Sequence, residues 1–180
     1  MEKVFGKGVI KLKKGDIVHE DVNAIVNAAN PSLMGGGGVD GAIHRAGGSH
    51  ILEECGDIVR ELPEGRLDPG KAVITSGGDL KAGYVIHAVG PIWRGGGWGE
   101  SEVLKNVFMN SLMLARGRGL REISFPSIST GAYGYPVEEA ASIAVGSVAT
   151  FLEKSEMIVS FVLFDDLTFE AYKKALLAQI

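Results

Sequence analysis

Cysteine is nearly absent: of 180 residues only Cys55 carries a thiol. That excludes an intramolecular disulfide and makes a reducing cytoplasm the expected compartment. No stretch reaches the ~18 uninterrupted apolar residues of a membrane span, and the opening MEKVFGKGVIKLKKGD lacks the apolar centre of a secretory signal. No membrane association is therefore expected. Positive charge is not in excess: 18 Lys and Arg against 22 Asp and Glu leave a net −4, which argues against a general nucleic-acid binder. The one basic cluster, Lys11, Lys13 and Lys14, reads as a solvated strand edge. The four histidines, His19, His44, His50 and His87, make no HExxH and no paired-cysteine set, so no metal is expected. A GK[ST] sequence is missing, which excludes a Walker loop. Gly36-x-Gly38-x-x-Gly41 matches the dinucleotide fingerprint in letters only, because no apolar strand ending in an acid follows about 20 residues on. No cofactor is expected.

Glycine is the residue in surplus, at 26 of 180 against a usual ~7%. It concentrates in loops, above all between Ala24 and Gly48. There the apolar strand Ala24-Ile25-Val26 runs out at Asn30-Pro31, since the residue before proline is pushed away from helical geometry. Gly35, Gly36, Gly37 and Gly38 follow, and with no Cβ they admit positive φ and close approach of another molecule to the backbone. From Val39 the pattern turns helical, with Val39, Ala42, Ile43 and Ala46 sharing a face. A strand, a glycine loop and a helix N-terminus make an anion site, because the first N–H groups of a helix have no internal partner and its dipole favours negative charge. With no lysine cluster nearby, backbone N–H groups must hold such a ligand.

Around this stretch the chain alternates strands and helices. Strands are expected over 4–12, 72–75, 84–89, 122–128 and 157–164, with 84–89 apolar on both faces and so central. A turn at Gly15-Asp16 leads into a short extended piece. Ser49 is placed to cap a helix over 50–62 with Ile51, Leu52, Cys55, Ile58, Val59 and Leu62 inward, which makes Cys55 a core residue. Further helices are expected over 100–118, from Pro136 to 151, and over 168–178. The second glycine-bearing loop before a helix is Ser129, Thr130, Gly131, Ala132, Tyr133, Gly134 and Tyr135, and two such loops suit two phosphates. Trp93 and Trp98 lie in a third glycine-rich loop, where they either rim the cleft or anchor the loop. The pattern predicts one α/β domain over 1–180, a three-layer α/β/α arrangement around a mixed, mostly parallel sheet with its ligand at the strand carboxyl ends.

Several segments then resemble the macro domain family, the ADP-ribose-binding fold, over nearly the whole chain: Gly15-Asp16-Ile17, Asn27-Ala28-Ala29-Asn30, Gly35 to His44, Val85 to Pro91, and Phe125 to Gly131 with Tyr133-Gly134. The resemblance implies that Asp16 accepts from the adenine 6-amino group, that the Ile17 backbone supports the ring, and that Phe164, with Asp165 beside it, lies against adenine. Gly35 to Gly38 with Val39, and Ser129 to Tyr133, would wrap the diphosphate. Asn30 would bond the distal ribose, with Asn27 an internal brace. Asp40 resembles the aspartate of the MacroD-type branch, which implies hydrolysis of ADP-ribose esters of acidic side chains and of O-acetyl-ADP-ribose. In that role Asp40 deprotonates or aligns a water, with Asn30 beside it and His44, one helical turn on, orienting it. The expected partners are thus ADP-ribose, its esters and mono-ADP-ribosylated proteins. A reader that binds ADP-ribose without catalysis is the alternative, and Asp40 counts against it. Two departures from the family pattern stand out: Ala132, where many members carry Val or Ile, and 66–71, which differs from the usual Pro-Thr-Gly.

Overall fold

The computed structural model describes residues 1–180. Its centre is a seven-stranded sheet, β1 (Glu2–Phe5), β2 (Gly8–Lys14), β3 (Ala24–Ala29), β4 (Ala72–Ser76), β5 (Tyr84–Val89), β6 (Glu122–Phe125) and β7 (Ile158–Leu163). The spatial order is β1-β2-β7-β6-β3-β5-β4. The pairs β2·β7, β7·β6, β6·β3 and β3·β5 are parallel, and only the flanking pairs β1·β2 and β4·β5 are antiparallel. The sheet is therefore mixed and mostly parallel, as expected.

Strand alternation sends successive side chains to opposite faces. Ala24 and Val26 of β3, with Ile86 and Ala88 of β5, join the larger core beneath α3 (Glu100–Gly117), α4 (Val137–Leu152) and α5 (Asp166–Leu177). Ile25 and Ala29, with Val85 and Val89, join the smaller core beneath α1 (Gly38–Gly47) and α2 (Ser49–Glu61). Helices cover both faces, which is why β3 and β5 read as continuous apolar runs rather than as alternation.

Several local expectations are corrected. The strand expected over 4–12 is a hairpin, bent at Gly6, whose φ of 53° suits a residue without a Cβ. Ile17–His19 is a 3-10 turn rather than an extended piece, because the Asp16 side chain accepts the Val18 N–H and caps it. Strand β6 stops at Phe125, since Pro126 has no N–H for the ladder. Gly48, not Ser49, caps α2, and Leu52 is exposed on it. Pro136 is the cap of α4, and α5 begins at Asp166, two residues early. The inner face of α1 is Asp40, Gly41, Ile43 and Gly47, while Ala46 is exposed. Glycines carry half that face for a steric reason. A Cβ on Gly41 would come within 2.4 Å of the Gly36 carbonyl oxygen, and one on Gly47 within 2.1 Å of Ile51 Cδ1. Hydrophobic periodicity does not register residues that are buried for their smallness.

Candidate active site

The carboxyl ends of β3, β5 and β6 open into a cavity of about 330 Å³ walled by Ala28 to Asn30, Gly36 to Asp40, Gly90, Ser127 to Ser129 and Gly131 to Tyr133. No lysine or arginine lines it. Its polar character comes from backbone: the N–H groups of Gly36 to Asp40, at the start of α1, and of Gly131, Ala132 and Tyr133 donate to no acceptor in the protein. Two sets of free donors face one cavity, the arrangement that suits a diphosphate. The second set is held in place by bonds at the loop's base, Tyr135 N–H to Ser129 O at 2.9 Å and Gly134 N–H to Gly131 O at 3.0 Å. Ser129 sits at φ 66°, unusual for a residue with a Cβ, and its buried hydroxyl has no partner.

Asp40 occupies the third position of α1 and points into the protein, 5% exposed. Its Oδ1 accepts from Asn27 Nδ2 at 2.8 Å. Its Oδ2 makes no bond inside the protein and faces Gly36, where an added Cβ would lie 3.2 Å from it and 3.3 Å from Asn30 Nδ2. One oxygen is thus anchored and the other is offered to the cavity. His44, expected to orient Asp40, stands one turn on with Nε2 at 3.4 Å from Oδ1, yet neither ring nitrogen is aligned for a hydrogen bond. The orienting bond comes from Asn27, which the sequence suggested only as a brace. Across the cavity the Tyr133 phenol is pushed above its ordinary range by burial and then by the Asp40 charge.

Asn30 lines the cavity while its amide braces the loop: Nδ2 donates to Gly35 O at 2.9 Å and Oδ1 accepts from Ser32 N–H and Oγ at 3.1 and 2.6 Å. Gly35 and Thr130 support the cavity from behind, Thr130 through a 2.7 Å bond between its hydroxyl and that of Ser127. Ala28 and Ala29, the last residues of β3, and Gly90, Ser127 and Ile128, just past β5 and β6, line it too; the sequence offered them only as family-motif positions, since none carries distinctive chemistry.

The residues expected around adenine lie outside this cavity. Asp16 and Phe164 follow β2 and β7, whose ends pair at Lys14 and Leu163, so the two sit side by side at the sheet's rim. Phe164 is 83% exposed and so is not a core aromatic. Ile17 is buried beside them. The Asp165 carboxylate caps α5, accepting Thr168 N–H at 2.7 Å, and that hydrogen bond holds it below its ordinary range. Neither tryptophan lines the cavity. Trp93 donates its N–H to Tyr133 O at 2.8 Å and packs on Tyr135 with ring centres 4.6 Å apart, bracing the second loop, whereas Trp98 is exposed.

Beneath Asp40 the fold gathers three residues the sequence spacing gave no reason to group. Donor atoms of His44, Cys55 and His87 lie within 4.8 Å of one another. His87 comes from β5, paired with Asn27 of β3, while His44 and Cys55 come from α1 and α2, which pack over those strands. Burial, and then the charges of Asp40 and Glu54, push the Cys55 thiol up to about 12, which makes it an inert core residue as expected.

A family model for the macro domain matches residues 26–144. An O-acetyl-ADP-ribose deacetylase of Klebsiella pneumoniae is 52% identical over 164 residues, covering 90% of this chain and 93% of its own. The Oceanobacillus iheyensis macrodomain with ADP superposes with a TM-score of 0.94 at 43% identity, over 98% of this chain and 94% of that one. The Trypanosoma brucei macrodomain in complex with ADP-ribose superposes with a TM-score of 0.83 at 38% identity, over 93% and 68%. The sheet order, the two donor loops and these matches lead to one assignment: the chain belongs to the macro domain family.

Proposed function

We propose that this chain, as one domain over 1–180, binds ADP-ribose and hydrolyses its esters, O-acetyl-ADP-ribose and mono-ADP-ribosylated Asp or Glu side chains, releasing ADP-ribose. The observation that carries the reading is Asp40, anchored through Oδ1 and open to the cavity through Oδ2. The K. pneumoniae relative's activity and the ADP-ribose bound by the T. brucei neighbour support it.

In this reading the diphosphate lies between the free N–H groups of Gly36 to Asp40 and of Gly131 to Tyr133. Adenine rests on Phe164 near Asp16, and the distal ribose is directed toward Asn30 and Asp40. A water bonded to Asp40 Oδ2 adds to the ester carbonyl. The bond from the carbonyl carbon to the ribose oxygen breaks, that oxygen leaves with a proton, and a carboxylic acid and ADP-ribose result. The donors that hold the diphosphate fix the reacting ester relative to this water, so that binding energy is used for orientation. The chain's single cysteine fits a cytoplasmic setting, its charge of −4 fits a small-molecule or modified-protein substrate rather than nucleic acid, and no helix is long and apolar enough to cross a membrane.

The test is release of ADP-ribose from a peptide mono-ADP-ribosylated on glutamate, and of acetate from O-acetyl-ADP-ribose, by wild type and Asp40→Ala. The expected result is turnover by wild type, lost by about 100-fold or more in Asp40→Ala, with ADP-ribose binding retained. Binding by wild type with no release from either substrate would leave a reader in its place.

A further inference from the structure

The hydrogen bonds behind Asp40 form a chain whose donors and acceptors can be assigned from the network. Thr75 donates its hydroxyl to Ser76 O at 3.0 Å. Its oxygen is then an acceptor toward His87 Nε2 at 2.9 Å, so Nε2 carries the ring hydrogen. His87 Nδ1 is left bare and accepts from Asn27 Nδ2 at 3.2 Å. The second hydrogen of that same Nδ2 goes to Asp40 Oδ1. Turning the Asn27 amide over would set its oxygen against both the carboxylate and the imidazole lone pair, two acceptor-to-acceptor contacts in a buried place.

The arrangement has a cost that marks it. Asn27 Oδ1 is buried and meets no donor of the protein, an orientation that natural structures seldom keep without a reason. The reason is on the other side of the amide, where both hydrogens are engaged. Asn27, Thr75 and His87 are all buried, so these links are shielded from bulk solvent.

Taking the ester-hydrolase reading as its basis, we propose that His87 and Thr75 are positioning residues for Asp40, acting through Asn27 to fix which carboxylate oxygen is anchored and which is left for the water. Burial, and then the neighbouring His44, push the His87 imidazole down to about 3, so the neutral ring this role needs persists over the working pH range. The same assignment takes His87 out of the trio with His44 and Cys55 as a cation ligand: the nitrogen 3.6 Å from Cys55 Sγ is Nε2, which holds a hydrogen instead of a free lone pair. His87 thus belongs to the hydrogen-bonded support of Asp40, with His44 and Cys55 packed beside it.

Thr75→Val tests this, because valine keeps the branched shape and removes the hydroxyl. With only the weakly accepting Cys55 Sγ left for Nε2–H, the ring is freer to take the other tautomer, whose Nδ1–H faces the Asn27 amide hydrogens. We expect kcat on O-acetyl-ADP-ribose to fall about 10- to 100-fold, the scale of a displaced reacting group, with the Kd for ADP-ribose unchanged. Thr75→Ser, which restores the hydroxyl, restores kcat; a merely structural role would not give that split. Ring 15N shifts of His87 should show Nε2–H in wild type, and the Asn27 side-chain amide should lose protection from exchange in Thr75→Val. Full kcat in Thr75→Val, or a wild-type ring protonated at Nδ1, overturns the proposal. Should wild type release no acetate, the hydrolase reading fails separately, and the ring shifts and Asn27 exchange still decide whether this support of Asp40 exists.

Discussion

Residues matter here as much for missing atoms as for functional groups. A Cβ at Gly90 would sit 2.2 Å from Ser129 Oγ and 2.8 Å from Ile128 Cγ2, so Gly90→Ala must displace these side chains at the base of the second loop. It is expected to weaken ADP-ribose binding by about tenfold, measured by calorimetry, since one displaced set of donors loses charge-assisted bonds. Gly37→Ala is the contrast: its Cβ meets nothing of the protein within 4 Å and its φ is −95°, so Tm should be kept and any loss of affinity reports contact with the ligand itself. The glycine run was legible as a ligand loop, but which glycine is obligatory was not, because that depends on neighbours brought in from elsewhere in the chain. Asp40 was legible through the resemblance to the macro domain family, with its place in the first helical turn as support. Its anchor was not: Asn27 and His87 are 60 residues apart and meet only through the pairing of β3 with β5.

Among the elements, the 90–99 loop shows how one side chain organises a segment. Glu100, the first residue of α3, folds its carboxylate back to accept the N–H groups of Arg94, Gly96 and Trp98 at 3.0, 2.8 and 2.6 Å. Burial by itself raises this carboxyl, but these backbone donors, with Glu100's own N–H, outweigh it and hold the group at about 2, below its ordinary 4.5. The sign follows from linkage: a carboxyl depressed in the folded state contributes stability that is present above 4.5 and is lost as pH falls toward and through 2. Glu100→Gln should therefore lower Tm at pH 7, and the gap from wild type should narrow as pH falls from 4.5 toward 2 in thermal unfolding. A constant gap would show that shape rather than charge holds the loop. Because Trp93 in this loop bonds Tyr133 O, the variant should also weaken ADP-ribose binding at pH 7. The helix start at Glu100 was legible from periodicity; its carboxylate's inward turn depends on a loop conformation that no spacing rule encodes.

At the scale of the whole molecule, the sheet separates a large core from the half that bears the catalytic candidate. The larger side holds Phe108, Phe125, Phe161 and Tyr172, with neighbouring ring centres 5.0 to 6.3 Å apart. Asp40, Asn27 and His87 lie on the other side, over the smaller core. Phe161→Ala should cost about 3–5 kcal/mol in urea unfolding, the usual range for a buried phenylalanine, while KM and kcat of the molecules still folded stay near wild type. A large loss of kcat in folded Phe161→Ala would show that the two faces are coupled. The order of strands and helices, the two donor loops and the acidic residue at the start of α1 were determined by the sequence alone, since periodicity, glycine and proline act over a few neighbouring residues. The sheet order, the buried glycine face of α1 and the Thr75-His87-Asn27-Asp40 chain were decided only by tertiary structure. They rest on strand register and close approach between segments far apart in the chain, and such contacts leave no local pattern to read.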